Sequence, residues 1–257
     1  MPSATHAPIA PPSRLLLWAE SRALWEAAAG VALWPLLQLA PRGDGHAVLV
    51  LPGLLASDAS TRMLRRYLAS RGYEVHGWGR GRNLGPRAGV EASMVAKLQA
   101  LQQGSGSKVS LVGQSLGGVY ARLLAAGHGD LVRSVITLGS PFVGSARATN
   151  AWQVYERVSG LKAEDPQRQQ QLAPPPGVPT SSVFSRSDGV VAWRASLVHG
   201  SSAHTENIEV LASHIGMAAH PAVLYAVADR LAQPEGAWKP FNRRLLGPLV
   251  YPDPNRA

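Results

Sequence analysis

The segment Val109–Gly118 is the feature that most constrains how this 257-residue chain folds. Residues Val109–Val112 have the apolar character of a buried strand, and helical spacing begins only a few residues later, over Leu116–Ala126. So short a connection between a strand and a helix requires a sharp turn, and Gly113 and Gly117 leave room for it. The segment therefore predicts a strand-turn-helix unit.

The same alternation of strands and helices extends over most of the chain. The uninterrupted apolar run Ala47–Leu51 is typical of a strand that is buried on both faces. Together these patterns predict an α/β fold with a mostly parallel central sheet and helices on both faces. The other predicted strands cover 73–76, 132–138, 181–184 and 207–210, and the other predicted helices cover 58–70 (with Asp58 or Ser60 as N-cap), 90–103, 152–161, 166–172 and 221–231.

The chain is predicted to contain one large domain. The α/β domain covers 43–232, a helical or irregular extension precedes it over 1–42, and a surface tail follows over 233–257. The alternation breaks between about 143 and 179, where a cap or lid insertion is predicted, since long irregular segments in compact domains are usually functional. Its apolar residues Trp152, Val154, Tyr155, Val158 and Leu161 are predicted to form the underside of this lid.

Composition and charge exclude several classes of protein. The formal net charge is +9, but the arginines are dispersed and no nucleic-acid-binding module accompanies them, so nucleic acid is not an expected partner. The chain has no cysteine and hence no disulfide, thiolate nucleophile or cysteine metal site. No signal peptide is predicted because Glu20 interrupts the apolar run that begins at Leu15. The uncharged stretch Ala27–Pro41 is shorter than the roughly 20 residues of a spanning helix, so a cytoplasmic protein is expected.

The segment Ser13–Leu39 has two interpretations. It carries Trp18, Trp25 and Trp34 among leucines, which is typical of a helix lying on a membrane surface. The same side chains would also pack the segment onto the domain or over a pocket. Packing is the favoured interpretation, and peripheral membrane contact is the alternative.

Residues 113–118 read Gly-Gln-Ser-Leu-Gly-Gly and match the pattern G-x-S-x-G between a strand and a helix. Such a turn lifts the Ser115 hydroxyl above the sheet and points the helix N-terminus at it. The Leu116 N–H is therefore expected to stabilise a developing negative charge. The alternative is a glycine-rich turn in which Ser115 only caps the helix, and the position between strand and helix favours the nucleophile.

On these motifs the chain resembles the α/β-hydrolase superfamily, and within it the bacterial lipases and esterases, over Ala47–Leu231. The resemblance implies a second backbone donor, Leu54, in the loop after the first long central strand. Related lipases usually have histidine where this chain has Pro52, which offers neither an N–H nor a side-chain hydrogen bond. The resemblance also implies the order nucleophile, acid, base along the chain.

The acid and the base are assigned from that order. Asp188 lies in an Asp-Gly turn after a predicted strand, and His214 lies between the last predicted strand and the final helix. The spacing of His214 and His220 does not fit a helical zinc pair, so no metal site is predicted, and no cofactor is implied. The less favoured acids are Asp130 and Asp165, and the less favoured histidines are His199, His204 and His220, of which His220 is expected to begin the final helix.

The resemblance implies a serine esterase or lipase that cleaves carboxylic esters through an acyl-enzyme, and a lid with an apolar underside would favour a hydrophobic acyl group. The alternatives are an acyltransferase or thioesterase with the same triad, and a non-catalytic ligand-binding relative. The glycine-rich loop after the second strand is expected at the same sheet edge, either binding substrate or pinned by arginine hydrogen bonds. The candidate substrate-binding residues are Gln114, Arg80, Arg82 and Asn83.

Overall fold

The computed structural model describes residues 9–172, 174–199 and 203–256. Within this part of the chain, six parallel strands form one sheet in the order β2-β1-β3-β4-β5-β6. The predicted α/β architecture is therefore confirmed. The strands are β1 (Ala47–Leu51), β2 (Glu74–Gly77), β3 (Val109–Gln114), β4 (Val132–Leu138), β5 (Thr180–Phe184) and β6 (Thr205–Glu209).

Helices cover both faces of the sheet. They are α1 (Arg14–Trp18), α2 (Ala23–Ala32), α3 (Trp34–Leu37), α4 (Arg62–Ser70), α5 (Val90–Ser105), α6 (Leu116–Gly127), α7 (Trp152–Ser159), α8 (Pro166–Leu172) and α9 (Pro221–Leu231), with 3₁₀ turns at Ala19–Arg22, Ala146–Ala148, Trp193–Ser196 and Met217–Ala219. Val48 and Val50 of β1 pack with α4 and α9, whereas Leu49 and Leu51 pack with α5 and α6 on the other face. Burial of both faces explains why β1 is apolar at every position.

Helix α4 begins later than expected. Its N-cap is Thr61, so the prediction of Asp58 or Ser60 as N-cap was wrong. The Asp58 carboxylate instead accepts hydrogen bonds from the backbone N–H groups of Trp78 and Gly79, each at 2.9 Å. It thereby holds the start of the glycine-rich loop and is not available as a helix cap. The other predicted elements agree with the structure to within two residues at each end.

The N-terminal segment Ser13–Leu39 folds into short helices that pack on the domain. Helix α2 contacts α9 and the 3₁₀ turn Met217–Ala219 that precedes α9, and helix α3 also contacts α9. The Trp34 ring packs edge-on against the Tyr67 ring of α4, with 5.6 Å between the ring centres. The Tyr67 hydroxyl donates to the Leu37 carbonyl at 2.9 Å. None of the described helices has the length and apolar character required to cross a membrane.

The insertion over 143–179 carries α7 and α8 and is anchored by a buried arginine. The guanidinium of Arg122 on α6 donates to the carbonyls of Leu172 and Pro174 at 2.7 and 2.9 Å. It also stacks on the Phe142 ring, 4.0 Å from its centre. Burial lowers the pKa of Arg122 to about 10, which leaves it charged at neutral pH. One end of the insertion is therefore fixed to the core.

Candidate active site

Ser115 lies in the sharp turn between β3 and α6. Its φ of 52° and ψ of −121° are strained for a residue other than glycine. A Cβ at Gly113 would lie 2.3 Å from the backbone of Gly117, and a Cβ at Gly117 would lie 2.1 Å from the carbonyl oxygen of Leu51. Non-bonded atoms cannot approach so closely, so the turn that strains Ser115 requires glycine on both sides.

Asp188 and His214 form a buried hydrogen-bonded pair. The His214 Nδ1 lies 2.8 Å from the Asp188 Oδ2, and both side chains are nearly inaccessible. The second carboxylate oxygen, Oδ1, accepts from the N–H groups of Val190 and Val191 at 2.8 and 2.7 Å. This arrangement holds the carboxylate rigidly and favours the proton on Nδ1, which leaves Nε2 as the basic nitrogen.

The pKa of His214 reflects opposing effects. Burial alone would lower the pKa, because it disfavours the imidazolium. The carboxylates of Asp188 and Glu20 outweigh burial and raise the pKa above its ordinary value. The imidazole is therefore a stronger base than a histidine in water.

The serine turn and the histidine loop meet at one edge of the sheet. The Gln114 side-chain amide donates to the backbone carbonyl of His214 at 2.9 Å. Gly139, just after β4, lies so close that a Cβ there would be 2.9 Å from the Asp188 Oδ2 and 3.1 Å from the His214 Nδ1. Loops that follow parallel strands gather at this edge, which brings Ser115 near residues far away in sequence.

A cavity of about 110 Å³ lies beside Ser115. Leu54 and Leu116 line it on the sheet side, and Trp152 and Tyr155 of α7 line it on the insertion side. Apolar side chains make up most of the remaining wall, including Phe142, Leu172 and Val191. The volume and lining suit a small apolar group next to the Ser115 hydroxyl.

Two backbone donors in the wall have no acceptor. Within the described part of the chain, neither the Leu54 N–H nor the Leu116 N–H donates to a backbone or side-chain oxygen. Both residues line the cavity that contains Ser115. Unpaired N–H groups around a nucleophile can bind an anion that forms there.

Asn83 holds the loop that carries Leu54. Its side chain is completely buried and donates to the Pro52 carbonyl at 2.9 Å. Its backbone N–H donates to Ala56 at 2.8 Å, and its carbonyl accepts from Leu55 at 2.7 Å. Leu55 has a positive φ of 61°, which these bonds help to maintain. The buried amide thus supports the loop at the position where proline offers no side-chain hydrogen bond.

None of the three other candidates for substrate binding lies in the described wall of the cavity. Arg80 is exposed and donates to the Ser93 hydroxyl at 2.6 Å, and Arg82 is also exposed. Gln114 uses its amide on the histidine loop. Asn83 does not line the cavity either. The two arginines are exposed to solvent, and the amides of Gln114 and Asn83 are used in hydrogen bonds to neighbouring loops.

The N-terminal segment contributes a buried acid that sequence reasoning missed. The Glu20 carboxylate accepts hydrogen bonds from the N–H groups of Gly189, His214 and Ile215 at 2.8, 3.0 and 2.9 Å. These residues belong to the turn after Asp188 and to the histidine loop. Glu20 therefore joins the two loops that carry the candidate acid and base.

A second buried acid, Glu26, completes this contact. It accepts from the backbone N–H of Ser213 at 2.8 Å and from the Ser213 hydroxyl at 2.5 Å. Arg22 pairs with Glu26 at 3.1 Å and donates to the carbonyl of Ser187 at 2.7 Å. The sequence signal that could have found them is the presence of two acids in a largely apolar segment, since acids need partners when they are buried.

The comparisons with known proteins concern the fold. No known protein-family profile matches the chain, and no curated protein matches it in sequence. Among solved structures it is similar to the mature Bacillus licheniformis lipase BlEst2, at 18% identity and a TM-score of 0.57, over 76% of this chain and 95% of that one. It is also similar to a structure of the metagenome-derived lipolytic enzymes LipS and LipT, at 18% identity and a TM-score of 0.53, over 70% and 89% of the two chains.

A third similar structure is the thioesterase domain from the curacin biosynthetic pathway, at 15% identity and a TM-score of 0.51, over 74% of this chain and 92% of that one. These neighbours and the six-stranded parallel sheet show that the chain has the α/β-hydrolase fold. The fold expected from the sequence is confirmed.

Proposed function

We propose that the chain is a serine hydrolase that cleaves carboxylic esters through Ser115, Asp188 and His214. The observation that carries the proposal is the buried His214–Asp188 pair, 2.8 Å between Nδ1 and Oδ2, at the sheet edge where Ser115 stands in a strained turn. Backbone strain of this kind persists only where the surrounding structure enforces it, and it is concentrated at functional sites.

The proposed reaction has two halves. In the first, the His214 Nε2 takes the hydroxyl proton of Ser115 while Oγ attacks the ester carbonyl carbon. The N–H groups of Leu54 and Leu116 stabilise the oxyanion, and His214 then protonates the departing alcohol. In the second half, water replaces the alcohol and releases the acid from the acyl-serine. Asp188 stays ionised throughout and stabilises the imidazolium.

The cavity lining supports a hydrophobic acyl group. Phe142, Trp152 and Leu172 surround the space next to Ser115, and burial of apolar substrate surface against them favours binding. The insertion over 143–179, which supplies two of these residues, is proposed to act as the lid. Activity on a graded set of acyl esters should rise above that on acetate, and a steady fall with chain length would contradict this assignment.

The same residues would also serve thioester cleavage or acyl transfer. The likeness to the curacin thioesterase domain is the reason to test thioesters. A parallel panel of esters and thioesters compares kcat/KM for the two leaving groups. Product analysis with an added alcohol acceptor detects acyl transfer, because a new ester then appears in place of the free acid.

The decisive variant is Ser115→Ala. Removing the nucleophile should lower kcat/KM by at least about a thousandfold, since residues of a triad act as a unit. A fluorophosphonate probe should label the wild type and not the variant. If the folded Ser115→Ala protein kept both hydrolysis and labelling, the proposal would be wrong. Absence of labelling in the wild type would instead favour a non-catalytic ligand-binding protein.

A further inference from the structure

The outer side of the N-terminal segment is unusually apolar. Nine of the 17 exposed large hydrophobic side chains among the described residues lie between Leu15 and Leu39. Trp18 is 81% exposed, and Trp25 is 79% exposed. Single exposed apolar residues are common on proteins, but their concentration on one short segment marks an interaction surface. We call the side chains of Leu15, Trp18, Leu24, Trp25, Val31 and Leu36 the N-terminal apolar face.

Helix α2 differs from an ordinary amphipathic surface helix, because its apolar side faces outward and its charged side faces the domain. At about 100° per residue, Leu24 and Val31 fall on one side, and Glu26 and Gly30 fall on the other. Leu24 and Val31 are exposed, while Glu26 and Gly30 are buried. The helix thus directs its only carboxylate inward and its apolar side chains outward. Such an outer face is suited to an apolar environment and not to water.

Charge distinguishes between the partners that this face would fit. The acids between residues 13 and 42 are Glu20 and Glu26, and both are buried beneath the segment. Helix α4, which contacts the segment through Tyr67, also carries positive charge. Arg14 lies in the segment and Arg42 follows it, whereas Arg62 and Arg66 lie on α4. All four arginines are exposed, and none forms an ion pair with a described residue.

We propose that the N-terminal apolar face binds the surface of an anionic lipid bilayer. Leucines would enter the acyl boundary, tryptophans would lie among the headgroups, and the unpaired arginines would attract the anionic lipids. Ile215, which is 64% exposed, follows His214 and donates its N–H to Glu20 of the same segment. The bound bilayer would therefore lie close to the histidine loop.

Vesicle flotation of the full chain tests the proposal. The wild type should float with phosphatidylcholine vesicles that contain phosphatidylglycerol, and less with pure phosphatidylcholine. The double variant Leu24→Ser/Trp25→Ser should weaken binding by at least about tenfold, because two inserted apolar side chains are lost. The double variant Arg62→Gln/Arg66→Gln should weaken binding to the anionic vesicles by about tenfold and leave binding to the neutral ones unchanged.

The control is Leu246→Ser/Leu249→Ser, which removes two exposed leucines from the C-terminal tail and should float like the wild type. Circular dichroism confirms that each variant is folded. Ser115→Ala should also bind normally, so vesicle binding is measured independently of hydrolysis. The proposal is overturned if the wild type binds neither kind of vesicle. It is also overturned if Leu246→Ser/Leu249→Ser loses as much binding as Leu24→Ser/Trp25→Ser. It is also overturned if Leu24→Ser/Trp25→Ser only converts a dimer into a monomer.

Discussion

The substitution Glu20→Gln tests whether the N-terminal segment sets the basicity of His214. The carboxylate of Glu20 raises the pKa of His214, together with that of Asp188, against the effect of burial. Glutamine has nearly the same shape but no charge, so the pKa of His214 should fall. The base is then unprotonated at lower pH, and the acidic limb of kcat/KM should move to lower pH.

The structure also sets the cost in stability. In wild type, Oε1 of Glu20 accepts from Gly189 and His214, and Oε2 accepts from Ile215. A glutamine oxygen can replace Oε1, but its NH₂ group then faces the N–H of Ile215, so two donors meet. One backbone donor loses its acceptor, which should lower the free energy of unfolding by roughly 1–3 kcal/mol. Urea denaturation measures this loss.

Glu26→Gln is the matched control. Glu26 lies on the same segment and is also buried, but it bonds to Ser213, and its charge acts on the pKa of His220. Its neutralisation should leave the acidic limb of the pH profile in place. The kinetics use a soluble short-chain ester, so that binding of the protein to a lipid surface does not affect the measured rates. An acidic limb that stays in place for Glu20→Gln, or that moves equally in both variants, would refute the reasoning.

Two other substitutions test the turn at Ser115 and the loop that carries Leu54. Gly117→Ala places a Cβ 2.1 Å from the backbone oxygen of Leu51, so kcat/KM should fall by more than about a hundredfold, whereas Gly127→Ala, with no atom within 4 Å of its Cβ, should be nearly normal. Equal kinetics for the two alanine variants would contradict this account of the turn. Asn83→Ala leaves the Pro52 carbonyl without its donor, so kcat should fall by about tenfold to a hundredfold with little change in KM. A rise in KM alone would instead indicate that Asn83 binds substrate.

The parts of the fold and site that could be predicted are those set by local sequence. The strand-turn-helix around Ser115 depends on glycines two residues away, and the apolar run of β1 reflects burial on both faces. Chain order then placed Asp188 and His214 in loops after late strands. The structure brings those two side chains into contact, and their catalytic roles remain predictions for the kinetic tests.

The parts that could not be predicted depend on backbone groups distant in sequence. Glu20 accepts from the N–H of His214, 194 residues away, and a backbone amide has no signature in the sequence. Glu20 was therefore interpreted only as an interruption of an apolar run. Asn83 is a candidate for substrate binding from the sequence because its loop is expected at the sheet edge that carries Ser115. Its complete burial follows from the path of the Pro52 loop, which only the folded chain shows.

Another group of serine, histidine and aspartate side chains tests whether hydrogen bonding alone is enough to make a serine reactive. The His46 Nδ1 lies 2.5 Å from Asp44, and its Nε2 lies 2.8 Å from the Ser110 hydroxyl. Burial lowers the pKa of His46, so the imidazole is neutral at pH 7, as a general base would be. By hydrogen bonds alone, Ser110 would be the nucleophile, because its hydroxyl has a histidine partner.

The surroundings of the two serines differ. Ser110 is completely buried within β3 and paired in the sheet on both sides. Ser115 has a strained backbone, lines a cavity and lies beside the unpaired N–H of Leu116. An ester can reach only the second site, where its oxyanion would also find donors. Ser110→Ala should therefore keep fluorophosphonate labelling and ester hydrolysis, whereas Ser115→Ala should lose both. A folded Ser110→Ala protein that no longer labels would show that access and oxyanion donors are not what distinguish the sites.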